Sequence, residues 1–366
     1  MRTFDQISPA QLTSLLMMTI FPTIILMVPS DLLRVNGKDA GWVVIIATLW
    51  GVGIGWFSIA VYKKFPSQRI TQIFVTVFGR WIGELFCLVY LGALMVILVA
   101  VFREFGEMAE WAFAFGDIPI ELLMVMGGIL SFYLSASGLE VIARTSQILL
   151  PGSIGIIAII LISATPWMNW SFLWPPFPEI RKEILISAIT PSAFFTEGLI
   201  IGIFLPHIQL QDRIFRAIIL GMLFNGIILF LITVGLLAFF GGSRGGNIIF
   251  PLLHLSKEIR YSTYLSHLQV LMVPFLVSVI TIKLSVFLHA ASLGCQDMFR
   301  LKGYRFIALG LTVFSIVVAS VLFDNPIDLR KFIIRYFGHL AAPILLILTL
   351  CAYFFAMQFY KRRAKT

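Results

Sequence analysis

The stretch ILISAITPSAFFTEGLIIGIFLP, residues Ile184–Pro206, is long enough to cross a bilayer and contains a single charge, Glu197. An ionisable group at that depth costs several kcal/mol to insert, so it marks a functional position more often than a packing one. Gly198 follows it directly, and Pro191 and Pro206 flank it. A helix of this composition breaks near the membrane midplane and exposes backbone polar groups to a bound solute.

The rest of the chain agrees with a membrane solvent. Its 366 residues are 59% hydrophobic and 12% charged, which places it among polytopic membrane proteins as one integral domain over residues 1–366. The N-terminal apolar run reaches Val28 without a cleavage site, so it reads as a span and not a signal peptide. Cys87, Cys295 and Cys351 lie in apolar surroundings, and neither a disulfide framework, a metal site nor a cofactor is expected. The net charge of +9 belongs to loops beside a lipid bilayer, and no nucleic-acid partner is implied.

Hydropathy and helix breakers predict an all-α chain with ten transmembrane helices. Five lie at Ser8–Ser30, Ala40–Tyr62, Trp81–Val101, Ile118–Ser137 and Ser146–Ala164. Five more lie at Ile184–His207, Ile214–Phe240, Leu265–Met298, Phe306–Phe323 and Gly338–Tyr360. With an even count both termini share a side. That side carries fifteen Lys and Arg against eleven on the other, and five acidic residues against twelve. The Lys/Arg bias places both termini in the cytoplasm.

Breakers fall in the first and sixth spans. Ile20-Phe21-Pro22-Thr23 puts a proline inside an apolar run, where it either unwinds the helix or only kinks it, and Thr196-Glu197-Gly198 sets a glycine beside a charge. Breaks at matching positions of two five-span halves predict a 5+5 inverted-repeat transporter fold, with repeats at roughly 8–164 and 184–360 and helices 1 and 6 broken.

Lys283, on the eighth span, is the second intramembrane charge. Either its ammonium stands permanently in place of a coupling cation or couples to a proton, or it snorkels or pairs with Glu197 to neutralise a structural charge. The expected ligand site comprises Phe21, Pro22, Thr23, Ile97, Phe194, Thr196, Glu197, Gly198 and Thr281, with Lys283 as cation mimic or proton-coupling group. Phe195 joins Phe21 and Phe194 as a lining or gating residue, and Tyr90 and Asn225 read as packing and interhelical contacts. His289 reads as a satisfied buried histidine, and Glu140 and Arg144 as an ordinary helix pair. Glu104, Glu107, Glu110 and Asp117 read as a solvated acidic rim. No hydrolase, zincin or nucleotide-binding motif is present, which speaks against an enzyme.

Six short signatures occur in order along the chain: Ile7-Ser8-Pro9-Ala10-Gln11-Leu12; Asp39-Ala40-Gly41-Trp42; Phe78-Gly79-Arg80-Trp81-Ile82-Gly83; Gly138-Leu139-Glu140-Val141-Ile142-Ala143-Arg144; Glu197 through Phe204-Leu205-Pro206; and Lys361-Arg362-Arg363. In order and spacing they resemble the spore germination permease family, the B subunits of nutrient germinant receptors, within the amino acid–polyamine–organocation transporter superfamily. That resemblance implies a ten-helix inverted-repeat fold in the inner membrane of the dormant spore. It also implies a small nutrient germinant, of the amino acid or sugar class, and assembly with A and C receptor subunits. The alternative is a proton-coupled secondary transporter of amino acids or amines. The chain departs from the family in its first helix, where Phe21-Pro22-Thr23 replaces a glycine-rich break and leaves less backbone exposed.

Overall fold

A computed structural model describes residues 6–62, 65, 68–113, 118–174, 182–209, 213–259 and 269–363. The predicted start of the eighth span at Leu265, and Lys63, Lys64, Asp117, Glu179, Asp212 and Lys365, lie outside the described residues. The described chain is helical, with no strand. Nine helical stretches in it are long and apolar enough to cross a membrane, and a shorter apolar helix, His339–Phe355, lies within the tenth span predicted at Gly338–Tyr360. The protein is a multi-pass membrane protein.

The first span starts where its sequence says it should. Ser8 and Gln11 form a reciprocal capping box, and Pro9 fills the first helical position, where no N–H is needed. Helix α1 (Pro9–Leu26) then continues through Pro22. Of the two readings of Pro22, unwinding does not occur; the interruption falls at Met27, after which α2 (Val28–Asn36) continues with Pro29 in its first turn. A proline in the first turn of a new helix forfeits no hydrogen bond, whereas Pro22 is tolerated inside packed neighbours.

Helix α3 (Ala40–Tyr62) matches its predicted bounds. Helices α4 (Ile70–Phe78) and α5 (Arg80–Phe113) meet at Gly79, whose φ of 79° suits only glycine well. Helix α5 runs twelve residues past the predicted Val101 end, and this overturns the reading of Glu104 and Glu107 as a solvated rim. Both are buried, at 0% and 1% exposure. Apolar helix continues because Arg103 Nε donates to Glu107 at 2.7 Å and neutralises it inside the bundle.

Helices α6 (Ile120–Ser137) and α7 (Leu139–Ala164) follow, so Glu140 and Arg144 sit on one helix, paired at 2.5 Å. The sixth span is a string of short pieces: α8 (Lys182–Ser187), α9 (Ile189–Phe195), a 3₁₀ run (Thr196–Ile200), α10 (Ile201–Phe204) and a final 3₁₀ turn (Leu205–His207). Helix α11 (Ile214–Asn247) bends at Gly241, beside the predicted end at Phe240. Then come α12 (Pro251–Glu258), α13 (Gln269–Phe299), α14 (Arg305–Leu322) and α15 (Pro326–Phe332). A π-helical stretch, Ile333–Ala341, leads into α16 (Ala342–Arg363).

Both ends of the bundle are fastened. At the end that carries the N-terminus, Ile7 and Ile208 form a parallel backbone bridge: Ile7 N–H donates to His207 O at 2.8 Å, and Gln209 N–H donates to Ile7 O at 3.0 Å. Nearby, Arg69 pairs with Asp297 at 2.8 Å, and Thr71 donates to the other carboxylate oxygen at 2.9 Å. At the opposite end Arg330 pairs with Asp31 at 2.6 Å, joining α15 to α2.

A cavity of about 250 Å³ lies beside the Arg69–Asp297 pair, lined by Thr71, Glu84, Cys87 and Asp297 among others. In a background where Cys295 and Cys351 are serine, Arg69→Ala is expected to raise maleimide labelling of Cys87 about tenfold, the factor that ~1.4 kcal/mol of lost clamping sets. Unchanged labelling would show that the ion pair does not hold this end shut.

Candidate functional site

Within the sixth span the local sequence forbids a smooth α-helix. Pro191 lacks an N–H, and Thr196 turns its hydroxyl back onto Ala193 O at 2.5 Å. The chain tightens into the 3₁₀ run, in which Ile201 N–H is shared between Gly198 O and Leu199 O. A 3₁₀ interval inside a helix commonly marks a functional hinge. Two tyrosines from other helices grip it: Tyr62 and Tyr90 each donate to Leu199 O at 3.2 Å. Tyr90 therefore does more than pack. Gly198 packs closely: a Cβ there would push aside the flexible tip of Met222 of α11 and touch Leu16 and Ile20 of α1.

The 3₁₀ run aims Glu197 at α13. Lys283 Nζ donates to both carboxylate oxygens of Glu197 at 2.8 Å and to Thr23 Oγ1 of α1 at 2.7 Å. The Thr23 hydroxyl in turn donates to Glu104 Oε2 of α5 at 2.7 Å. One continuous polar chain thus joins the sixth span, α13, α1 and α5. Lys283 and Glu104 are 0% exposed and Glu197 1%. The ring of Phe287 lies 5.8 Å from the ammonium and adds a cation–π contact. Of the two readings of Lys283, the geometry brings the pairing with Glu197, and through Thr23 it reaches a second carboxyl.

The other expected residues divide. Thr23, Glu197 and Lys283 come together; Gly198 sits beside them on the backbone. Thr281, two residues before Lys283 on α13, is buried with a hydroxyl that has no hydrogen-bond partner among the described residues. Phe21 packs edge-on to Phe275 of α13, with centroids 6.1 Å apart. Ile97 is a buried packing residue of α5, and Pro22 is enclosed within α1. Phe194 stacks near Phe337 at 4.8 Å and lines a cavity of about 80 Å³ with Met27, Asp31 and Thr190, where α1 gives way to α2. Thr196 faces a different, apolar groove of about 500 Å³ between α3, α9 and α16, away from the charges. Phe195 points at Gly51 of α3. His289 bonds Ser135 O at 3.0 Å and stacks on Phe204, and Asn225 bonds its own helix at Gly221 O.

Glu104 is the residue that the sequence reading missed. A signal was present: Tyr90, Ile97 and Glu104 are spaced by seven, so they share one helix face, and all three are fully buried. Among the described residues no cluster of three or more His, Cys, Asp or Glu has a metal-holding arrangement.

Comparison with known proteins gives the same outline. A family model described as "Spore germination protein" matches residues 6–328. The chain is 26% identical over 352 residues to spore germination protein KB of Bacillus subtilis (strain 168), covering 92% of each. It is 26% identical over 261 residues to spore germination protein XB of Bacillus anthracis, covering 70% of this chain and 72% of that one. Among solved structures, MhsT in complex with L-phenylalanine superposes with a TM-score of 0.71 at 14% identity, covering 94% of this chain and 89% of MhsT. The chain shares the fold of that structure.

Proposed function

Because this chain belongs to the spore germination protein family, we propose that it is a germinant-receptor B subunit, sensing a small nutrient of the amino acid or sugar class at the membrane midplane. The observation that carries the reading is the buried chain of Glu197, Lys283, Thr23 and Glu104, centred on the 3₁₀ hinge of the sixth span. An arrangement this costly to bury is retained for what it does more than for stability. That MhsT, which shares the fold, is solved with an amino acid supports the ligand class.

In this reading Glu197 orients a polar or cationic group of the ligand, and Lys283 replaces a coupling cation. Since Lys283 already holds both oxygens of Glu197, a ligand reaching Glu197 must displace it. Binding therefore favours a conformer in which the sixth span and α13 have parted, and that difference in affinity is the signal passed to A and C subunits. The protein resides in the spore inner membrane, and the Lys/Arg bias orients both termini to the cytoplasm.

A proton-coupled carrier of amino acids or amines is the second reading, and the facing of one ammonium by two carboxyls supports it. Thermal unfolding of the purified protein with amino acids, sugars and nucleosides is the test. A saturable rise for one compound, amounting to about 2.7 kcal/mol at a hundredfold excess over Kd and absent in Glu197→Gln, is expected. A rise that survives Glu197→Gln would place the ligand elsewhere. Uptake of the same compound into vesicles by the protein alone would favour the carrier.

A further inference from the structure

Two buried carboxyls converge on one ammonium, and the hydrogen bonds divide them unequally. Lys283 spends two of its contacts on Glu197 and the third on Thr23, which exhausts its three donors. Glu104 receives only the Thr23 hydroxyl, at 2.7 Å, and its Oε1 has no hydrogen-bond partner among the described residues. Among the described residues, the groups around it leave no second counter-ion. On its own helix Arg103 is bound to Glu107 at 2.7 Å. Thr23 is what α1 contributes, and Lys283 is what α13 contributes. From α15, Arg330 is paired with Asp31 and Lys331 with Asp328. Glu121 of α6 and Arg305 of α14 lie at helix ends.

A bare carboxylate with one hydroxyl contact and a dry second oxygen would cost several kcal/mol. The cluster is electroneutral when one of its two carboxyls carries a proton. We infer that Glu104 is a proton-binding site of the midplane cluster, holding one exchangeable proton opposite the Glu197–Lys283 pair, and that Thr23 is the bridge across which Lys283 changes partners.

The exchange balances in charge. When a cationic group of a ligand takes Glu197, Lys283 moves along Thr23 to Glu104. Glu104 gives its proton to solvent, so one positive charge enters and one leaves. This last step rests on the ligand reading above, but the resting protonation of Glu104 does not, and the test needs no ligand.

Infrared spectroscopy of the purified protein in lipid reads buried protonated carboxyls as a C=O stretch separate from ionised ones. The expected spectrum contains such a band, slow to shift in D₂O. Glu104→Asp moves it, Glu104→Gln removes it, and Glu197→Asp leaves its position unchanged. Thr23→Val provides a second route if Glu104→Asp does not fold: losing the hydroxyl bond must move the band while the carboxyl stays. Absence of any protonated-carboxyl band, or a band that follows Glu197→Asp and ignores both Glu104→Asp and Thr23→Val, overturns the assignment. Either failure would leave the ligand site at Glu197 to be judged by thermal shift alone.

Discussion

Lys283→Met lowers the stability of the folded protein by about 3–5 kcal/mol, the loss that follows when a buried ion pair is broken from one side. The stem of methionine fills the space of the lysine stem, so packing is kept and charge is what changes. Glu197 is then buried with no counter-ion, and Thr23 loses its donor. Glu197→Gln is expected to cost less, because the Lys283 ammonium keeps Thr23 and gains Glu104 as counter-charge once that carboxyl loses its proton. The double variant Lys283→Met with Glu197→Gln recovers most of the loss, since neither charge is stranded. Denaturant titration of the four proteins gives the order directly. Equal stability of Lys283→Met and wild type, or Glu197→Gln as the worst of the set, would sink this account of the cluster.

The second large effect is expected from close backbone packing and not from charge. Helices α4 and α5 cross so closely that a Cβ at Gly83 would lie 2.5 Å from Val75 Cα, 2.7 Å from Val75 N and 2.7 Å from Phe74 O. Those obstacles are backbone atoms, which cannot rotate aside as a side chain can. Gly83→Val is therefore expected to cost about 3 kcal/mol, at the upper end of the overpacking range. It also displaces α4, which precedes the cross and begins beside the Arg69–Asp297 pair. Gly92→Val on the same helix is the control: nothing lies within 4 Å of a Cβ there, so its stability should stay within about 0.5 kcal/mol of wild type. Parallel losses in the two variants would mean that helix propensity, and not the crossing, is being measured.

Much of the fold could be read from the chain because lipid leaves few choices. Ala40–Tyr62 is bounded as predicted, and at Thr196-Glu197-Gly198 the sixth span changes from α to 3₁₀ winding. Elsewhere a local rule is overridden by packing or pairing inside the bundle. Pro22 does not unwind α1, because a helix wholly surrounded by others tolerates a proline kink. Glu104 and Glu107 looked like solvent-facing acids, because charge usually ends a span. Their partners, Thr23 some eighty residues away and Arg103 on the same helix, keep the helix inside the bundle. Composition cannot show the Thr23 contact, but the i, i+4 spacing of Arg103 and Glu107 is visible in the chain, and the seven-residue spacing of Tyr90, Ile97 and Glu104 can place the acid on the buried face.

The Ile7–Ile208 bridge fixes one end of a measured length of chain, and the Glu197–Lys283 contact fixes the other. Between those two moorings the sixth span winds as 3₁₀ for residues 198–200, the last three residues of the run, which rise ~2.0 Å each where an α-helix would rise ~1.5 Å. Rewinding them as α would draw the span shorter by about 1.5 Å. That shortening pulls on both moorings, so the pitch of three residues and the hold of the N-terminal segment answer to one another. A change at mid-membrane becomes a tug on Ile7, at the very edge of the bundle.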